Sequence, residues 1–251
     1  MLDARRRMLD HACWPKNRQL ASSFQSPASN LQHPASSTMT SIGLKELTWM
    51  IEGAIQKIRK EHPFLSQLDS ASGDGDHGTT MLRAVNQVEK AMAERPSQDL
   101  QGLLGNVAWT LLGIDGGATG PLLGSWFTGM SESVAGKQSL NAEAFSVMFE
   151  AGLKALKEQT KAQVGDRTLM DALIPAVAAL RAGADANQDI LQMLREGARA
   201  ALEGALSTSN LKARFGRAKY LGERVIGHQD PGATSVSLMF QGFYEGLSKH
   251  V

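Results

Sequence analysis

The stretch Asp69-Ser-Ala-Ser-Gly-Asp-Gly-Asp-His-Gly-Thr-Thr80 separates two segments with helical periodicity. It places three carboxylates, those of Asp69, Asp74 and Asp76, within eight residues and surrounds the last two with glycines. Carboxylates this close repel one another unless a cation lies between them. Oxygen ligands in a glycine-rich loop suit magnesium, which proteins share between one or two carboxylates and substrate phosphates. The stretch therefore predicts a magnesium–nucleotide phosphate site at a break between two helices.

Two familiar motifs resemble this stretch without fitting it. Gly73-x-Gly75-x-x-Gly78 matches the dinucleotide fingerprint, but residues 64–72 are polar and poor in β-branched residues where that motif requires a strand. An EF-hand loop that starts at Asp74 would end on Val85 where a glutamate is needed. A solvated turn in which Asp74 and Asp76 cap the next helix stays open as the alternative.

The overall composition excludes several classes of function. The chain has 251 residues and a formal charge of +1, so no charge excess points to nucleic acid or to an anionic membrane surface. Apolar stretches such as residues 103–114 and 172–180 are too short to span a bilayer. Cys13 is the only cysteine, which excludes a disulfide framework and a cysteine-based metal site. We therefore expect a protein of the reducing cytoplasm, with no nucleic acid or membrane partner.

Residues 1–40 differ in composition from the rest. Ser, Ala, Gln, Asn and Pro dominate residues 19–40 without apolar periodicity, which predicts disorder. Asp3 and Asp10 argue against an organellar presequence. A start codon assigned too early, with Met39 as the true start, is the alternative. We expect the folded domain to comprise residues 41–251.

From residue 41 onward, apolar residues recur at helical spacing almost throughout. The first helix carries Leu44, Leu47, Ile51 and Ile58 on one face, and we expect it to end at His62-Pro63. Further helices are predicted for residues 81–95, 100–112, 141–156, 168–181 (with Pro175 inside), 190–206 and 233–247. No run shows sustained strand alternation. The sequence thus predicts an all-α fold, one domain of about seven to eight helices.

Glycine-rich breaks interrupt this helical pattern at residues 73–78, 113–120, 165–168 and 227–232. In an antiparallel helical bundle, the loops after alternate helices lie at the same end. We therefore expect several of the four to border one pocket. His77 and His228, which lie in two of them, are expected to act as hydrogen-bonding loop residues rather than as metal ligands.

The individual breaks leave alternatives open. Residues 116–120 indicate either an anion-binding helix start or close helix packing through small side chains. Residues 165–168 on their own are typical of a surface helix cap. Arg217 and Arg224 could hold a phosphate in a bidentate manner or could simply be solvated.

Taken together and in this order, the motifs resemble the L subunit, or C-terminal nucleotide-binding domain, of dihydroxyacetone kinases. The resemblance rests on Leu68-Asp69 with Gly73-Asp74-Gly75-Asp76-His77-Gly78, on Gly116-Gly117-Ala118-Thr119-Gly120-Pro121-Leu122, on Gly165-Asp166-Arg167-Thr168, and on Gly216-Arg217-Ala218-Lys219-Tyr220-Leu221-Gly222-Glu223-Arg224 with Gly227-His228-Gln229-Asp230-Pro231-Gly232-Ala233. It covers residues 41–251 and leaves out residues 1–40.

This resemblance implies a barrel of eight antiparallel helices with the nucleotide, ADP or ATP, bound at one end. It implies that Asp69, Asp74 and Asp76 bind magnesium, as two ions that bridge the nucleotide phosphates. It assigns phosphate contacts to His77, Gly78, Thr79 and Thr80 in the first loop and to Ala118 and Thr119 in the second.

The remaining nucleotide contacts follow from the same resemblance. Leu169 falls where the family packs an apolar side chain on the adenine, and the turn Asp230, Pro231, Gly232 matches a further contact. Arg217 matches a nucleotide contact and is the candidate for stabilising charge on the transferred group. Thr160 stands where the family often has glycine, so this chain departs from the pattern near the base.

The resemblance also implies a partner. In the family a separate K subunit or domain binds the ketose covalently through a histidine, so we expect half an enzyme that is active when a K subunit docks over the nucleotide. The phosphoryl donor could be ATP, or ADP could stay bound and be recharged by a phosphotransferase-system phosphoprotein. A homodimer is a further possible assembly. The alternative functions are a nucleotide-state adaptor for a transcription regulator, the ATP-binding domain of a fatty acid kinase, and a helical scaffold with an acidic surface loop.

Overall fold

The computed structural model describes residues 39–251. Within them the chain forms eight α-helices, with two 3-10 segments before the last helix. The helices are α1 (Leu44–Ser70), α2 (His77–Glu94), α3 (Leu100–Leu112), α4 (Thr119–Ser133), α5 (Ala142–Gln159), α6 (Met170–Asp185), α7 (Ile190–Ser207) and α8 (Pro231–Ser248). The predicted all-α fold is confirmed.

The eight helices form a closed ring. Each helix packs against the next one along the chain, and α8 packs against α1 to close the ring. Gly53 of α1 faces Gly242 and Gly246 of α8 so closely that a Cβ on Gly53 would overlap the Gly242 carbonyl oxygen. Because consecutive helices are joined by turns and lie side by side, they run antiparallel, as in other up-and-down bundles. The architecture is the eight-helix antiparallel barrel that the family resemblance implied.

The expectation that the first helix ends at His62-Pro63 is wrong. Helix α1 continues through Pro63 to Ser70, so it presents Leu65 and Leu68 to the core. Proline removes the N–H that would bond the carbonyl four residues earlier, here that of Arg59. His62 Nδ1 lies 2.8 Å from this Arg59 oxygen and supplies the missing partner.

Side-chain caps begin four of the eight helices that the structure describes. Asn141 caps α5 by accepting a hydrogen bond from Ala144 N at 2.9 Å, and Asp99 caps α3 by accepting from Gly102 N at 2.7 Å. Asp189 at α7 and Asp230 at α8 act in the same way. The two-residue strands Ser41–Ile42 (β1) and Leu140–Asn141 (β2) pair antiparallel at the end of the barrel where α5 begins.

Aromatic side chains hold the ring together from inside. Trp126 of α4, Phe149 of α5, and Phe240 and Phe243 of α8 are buried with ring centroids 5.5–6.4 Å apart. Aromatic pairs at these separations add about 0.5–1.5 kcal/mol each beyond their buried area. The core is thus rigid on the side of α4, α5 and α8.

The sequence predicts that residues 1–40 are a disordered or wrongly started extension. Residues 1–38 of this segment lie outside the described part of the chain.

None of the helices that the structure describes combines the length and apolar character required to cross a membrane.

Candidate functional site

Four loops meet at one end of the barrel. They connect α1 to α2 (residues 71–76), α3 to α4 (113–118), α5 to α6 (160–169) and α7 to α8 (208–230). These are the loops after alternate helices, so the antiparallel ring brings them to the same end. All four glycine-rich breaks of the sequence lie in or next to them.

The three aspartates of the first loop come together at this end. Asp69 lies in the last turn of α1, Asp76 directly precedes α2, and Asp74 lies between them. Each offers one carboxylate oxygen, and the three oxygens lie within 4.8 Å of one another. Asp69 Oδ2 accepts a hydrogen bond from His77 N at 3.1 Å, which fixes its orientation. Three hard oxygen ligands in a half-exposed loop fit a divalent cation such as magnesium.

The alternative of Asp74 and Asp76 as helix caps is not supported. Asp76 occupies the N-cap position of α2, but its side chain accepts no capping hydrogen bond. Instead Thr79 Oγ1 donates to the Asp76 carbonyl oxygen at 2.8 Å. Neither carboxylate therefore serves as a side-chain cap of α2.

Helix α2 begins in close contact with α1. A Cβ at Gly78 would overlap the His62 carbonyl oxygen and Ser66 Oγ, so glycine is required there by packing. Thr80, in the first turn of α2, is buried. Thr79 is exposed beside it, with its backbone at the positive end of the helix dipole.

His77 links the first loop to the last helix. Its Nε2 lies 2.8 Å from Ser235 Oγ of α8. Burial lowers the pKa of the His77 imidazole, and this effect outweighs the charge of Asp69 and the hydrogen bond to the Pro231 carbonyl, which both raise it. A neutral imidazole engaged with α8 agrees with the expectation of a hydrogen-bonding loop residue.

The second loop packs against the start of α2. Arg83 of α2 donates through one terminal nitrogen to the Asp115 carbonyl oxygen at 2.6 Å. Gly117 has φ +64° and nothing within 4 Å of a Cβ built there, so this turn faces open space. Ala118 and Thr119, the predicted phosphate residues, follow at the N-terminus of α4.

Close helix packing, one of the two interpretations of residues 116–120, applies at Gly120, and the anion-binding helix start stays a prediction. A Cβ built on Gly120 would lie 3.0 Å from the Leu111 carbonyl oxygen, so α3 and α4 pack closely at this residue. Gly117 and Ala118 remain exposed at the helix start, where backbone N–H groups favour an anion.

The expectation of a surface cap at residues 165–168 is wrong. Arg167 is 1% exposed and has φ +59°, in the left-handed region. Its NH2 group donates to the carbonyl oxygens of Val225 (3.3 Å), His228 (3.0 Å) and Gln229 (3.5 Å) in the fourth loop. Asp171 of α6 accepts from Gly165 N at 2.6 Å and from Thr168 N at 2.7 Å. The motif is therefore a buried junction between the third and fourth loops.

Leu169 and the Asp230-Pro231-Gly232 turn face each other. Leu169 is buried at the start of α6, and its Cβ lies 3.5 Å from a Cβ built on Gly232. Asp230 caps α8 by accepting from Ala233 N at 2.7 Å, and its own N–H donates to Thr208 Oγ1 at 2.8 Å. Burial raises the pKa of Asp230 to about 6, although the hydrogen bond from Ala233 and the Arg167 charge act in the opposite direction.

Arg217 reaches the acidic cluster from the fourth loop. It begins the 3-10 segment Arg217–Val225 and forms an ion pair with Asp74 although its side chain is 64% exposed. Arg224 and Tyr220 of the same segment are exposed, and Tyr220 contacts Lys219. Thr160 ends α5 and accepts from Ala162 N at 3.2 Å.

Sequence reasoning missed several residues of this site. Arg167 and Thr208 hold the fourth loop, Asp171 holds the third loop, and Ser235 of α8 contacts His77 at the start of α2. Arg167 belongs to the motif at residues 165–168, but a charged residue between Asp166 and Thr168 predicts a solvated side chain. Thr208 has no signal in the sequence, because its role depends on contacts distant along the chain.

Comparisons with known proteins show which family the chain is similar to. The family model of the DAK2 domain matches residues 71–245. The ADP-binding subunit DhaL of the PEP-dependent dihydroxyacetone kinase of Escherichia coli is 40% identical over 181 residues, 72% of this chain and 86% of that protein. DhaL of the PTS-dependent dihydroxyacetone kinase of Lactococcus lactis is 35% identical over 190 residues, 76% of this chain and 91% of that protein.

Longer relatives contain a similar region. Human triokinase/FMN cyclase is 32% identical over 222 residues, which are 88% of this chain but 38% of that protein. The native crystal structure of the dihydroxyacetone kinase of C. freundii superposes with a TM-score of 0.62 at 25% identity and covers 88% of this chain. The matched region makes up 38% of the C. freundii kinase chain. A structure of the same kinase in complex with AMP-PNP and Mg2+, at 24% identity, shares the fold.

Proposed function

Because the chain belongs to the DAK2 domain family, we propose that it is the ADP-binding subunit of a dihydroxyacetone kinase. In this role it transfers a phosphoryl group to dihydroxyacetone or a close relative held by a separate K subunit. The observation that carries the proposal is the meeting of three carboxylate oxygens within 4.8 Å at the barrel end where four loops converge. The two bacterial relatives above, named as ADP-binding subunits, match along most of their own length.

The acidic cluster is the candidate metal site. Asp69, Asp74 and Asp76 would hold magnesium, as two ions in our proposal, and bound magnesium neutralises charge on the β- and γ-phosphates. Asp69 is oriented by the His77 N–H, and Asp74 already attracts the cationic side chain of Arg217. The electrostatic character of the cluster thus suits a cation.

The nucleotide would lie across the four loops. The helix starts at Thr79 and Thr119 present backbone N–H groups to the phosphates. Leu169 and the Gly232 turn lie side by side, where an apolar surface would contact the adenine. Phosphoryl transfer depends mainly on positioning and on charge stabilisation, and both are available in this arrangement.

Arg217 is the proposed catalytic residue. Its guanidinium lies at the acidic cluster, on a loop that carries the exposed side chain to the open side of the site. From there it would exchange the carboxylate of Asp74 for the transferred phosphoryl group and stabilise its charge. An arginine provides a planar fork of donors for such oxygens.

For the phosphoryl donor, we propose bound ADP that is recharged by a phosphotransferase-system phosphoprotein. The bacterial relatives of similar length are named PEP-dependent or PTS-dependent. The longer human and C. freundii proteins contain the matching region within a larger chain. We also propose a cytoplasmic location for this subunit.

The test is reconstitution. The purified chain is mixed with a K subunit of the family, dihydroxyacetone and Mg2+, with either ATP or phosphoenolpyruvate plus the carrier proteins. We expect dihydroxyacetone phosphate only when both subunits are present, and sustained turnover only with phosphoenolpyruvate and carriers. Asp76→Asn is the matched inactive control. Binding of the K subunit or of another protein without any phosphorylation under either condition would contradict the proposal.

A further inference from the structure

Arg167 occupies an unfavourable position for a residue that serves stability alone. Its backbone is left-handed, a conformation that few residues other than glycine adopt. Its charge is buried, and among the described residues its Nε and Nη1 atoms have no hydrogen-bond partner. Native proteins satisfy most buried donors, so an exception of this kind calls for a functional explanation.

The contacts of Arg167 join two parts of the proposed nucleotide site. One terminal nitrogen holds the carbonyl oxygens of Val225, His228 and Gln229, directly before the Asp230 turn. The backbone of Arg167 itself lies two residues before Leu169. Asp171 and Asp230 supply the compensating negative charge, and burial lowers the pKa of Arg167 against their effect.

No hydrogen bond to Arg167 comes from the acidic cluster or from the second loop among the described residues. The phosphate side is held by separate contacts, from His77 to Ser235 and from Arg83 to Asp115. The base side and the phosphate side are therefore fixed by different residues.

We propose that Arg167 is a positioning residue that sets Leu169 against the Asp230-Pro231-Gly232 turn, so that the site recognises the nucleoside part of ADP. This inference rests on the proposed function and names the part of the nucleotide that Arg167 serves. The residue acts through its neighbours and does not contact the phosphates.

The test compares two ligands that share the phosphates and differ in the nucleoside. Dissociation constants for Mg-ADP and Mg-pyrophosphate are measured for the whole chain by competition against a fluorescent ADP analogue. Arg167→Lys keeps the charge but cannot reach the same three carbonyl groups. We expect it to weaken Mg-ADP binding at least about tenfold, as for the loss of a charged hydrogen bond. Mg-pyrophosphate binding should change by less than about threefold on the same scale.

Arg214→Lys is the matched control. Arg214 also connects the third and fourth loops, through Asp166 at 3.2 Å, but its side chain is 75% exposed. We expect both dissociation constants to stay within about twofold of the unchanged chain, because lysine keeps the positive charge beside Asp166 and the Arg214 side chain lies largely in solvent.

A second variant covers the case in which Arg167→Lys does not fold. Thr208→Val removes the hydroxyl that accepts from Asp230 N and keeps nearly the same volume. It displaces the same turn without altering a charge, and we expect the same selective loss of Mg-ADP affinity.

If the affinities for Mg-ADP and Mg-pyrophosphate fall equally, Arg167 serves the fold only. If both affinities stay unchanged, Arg167 does not position Leu169 against the Asp230 turn. Either result would overturn the inference for whichever of the two variants folds. Failure of the unchanged chain to bind Mg-ADP at all would instead refute the proposed function. The two failures are thus distinguishable in one experiment.

Discussion

Replacing Asp230 by asparagine is expected to stabilise the folded protein while weakening its function. Asp230 caps α8 in a half-buried position, where loss of solvation raises the pKa of its carboxyl group from 3.8 to about 6. Above pH 6 the folded state therefore contains an ionised carboxylate that it accommodates poorly. Asparagine keeps an oxygen that can accept from Ala233 N and carries no charge.

The magnitude follows from the difference in pKa. Each tenfold change in proton affinity corresponds to about 1.4 kcal/mol, so ionisation of Asp230 disfavours the folded state by about 3 kcal/mol at pH 7.5. Because the pKa is higher in the folded state, folding takes up a proton between pH 3.8 and about 6. The unchanged protein thus loses stability as the pH rises through this window, and Asp230→Asn does not. The gain in the free energy of unfolding from Asp230→Asn should fall to about 1 kcal/mol near pH 4.5.

The assay is unfolding by urea at pH 4.5, 6.0 and 7.5 without nucleotide. At pH 7.5 we expect Asp230→Asn to raise the midpoint of thermal unfolding by roughly 6–12 °C as well. Asp189→Asn is the matched control, since Asp189 caps α7 in the same way at the opposite end of the barrel. Both residue types are good caps, so this control should change the free energy of unfolding by less than about 0.5 kcal/mol.

A loss of stability in Asp230→Asn at pH 7.5 would refute the reasoning, because it would mean that Arg167 more than compensates for the buried charge. A gain that does not depend on pH would also refute it. In the same variant, Mg-ADP binding should weaken about tenfold or more if Asp230 contacts the nucleotide as a charged acceptor. Gain of stability with loss of binding is the expected signature of a residue retained for function.

Three further predictions concern the metal cluster, Arg217 and the closure of the barrel. Asp74→Asn or Asp76→Asn should abolish magnesium-dependent ADP binding in calorimetry and leave the helical circular dichroism unchanged; unaltered ADP affinity would contradict the metal assignment. Arg217→Ala should lower kcat at least about 100-fold and ADP affinity less than tenfold in the reconstituted kinase, and the opposite pattern would make it a binding residue only. Gly53→Ala should destabilise the fold by about 1–3 kcal/mol or more, because its methyl group would overlap the Gly242 carbonyl oxygen. Urea unfolding measures the loss. The control is Gly105→Ala, whose Cβ would meet only Ser131 Oγ at 3.3 Å, and it should show no such loss.

Much of the fold could be predicted because its signals are local. The apolar spacing located the helices, and Asn141 marked the start of α5 by ordinary capping chemistry. Alternation in an antiparallel ring also predicted that several of the four glycine-rich loops lie at one end. The closure of α8 on α1 had no such local signal, since it depends on Gly53 meeting Gly242 and Gly246 across the ring.

The errors arose where distant contacts outweigh local preference. A proline such as Pro63 ordinarily ends a helix. Here His62 supplies a partner for the freed carbonyl of Arg59, and burial of Leu65 stabilises the continuation of α1 beyond the proline. Arg167 ordinarily predicts a solvated side chain, yet three carbonyl groups of another loop enclose it. Neither outcome is visible from residues adjacent in sequence.

The two sides of the site should therefore respond differently to substitution. The proposed phosphate side is built from half-exposed carboxylates and helix starts, so changes there should remove ligand contacts and leave the fold intact. The proposed base side contains Asp230, which is ionisable and half-buried, and the left-handed, partly unsatisfied Arg167, and we expect both to lower stability in the absence of a ligand. A nucleotide that fills this side would stabilise the chain by mass action. Substitutions that relieve these features should stabilise the free chain and reduce the gain in stability that ADP provides.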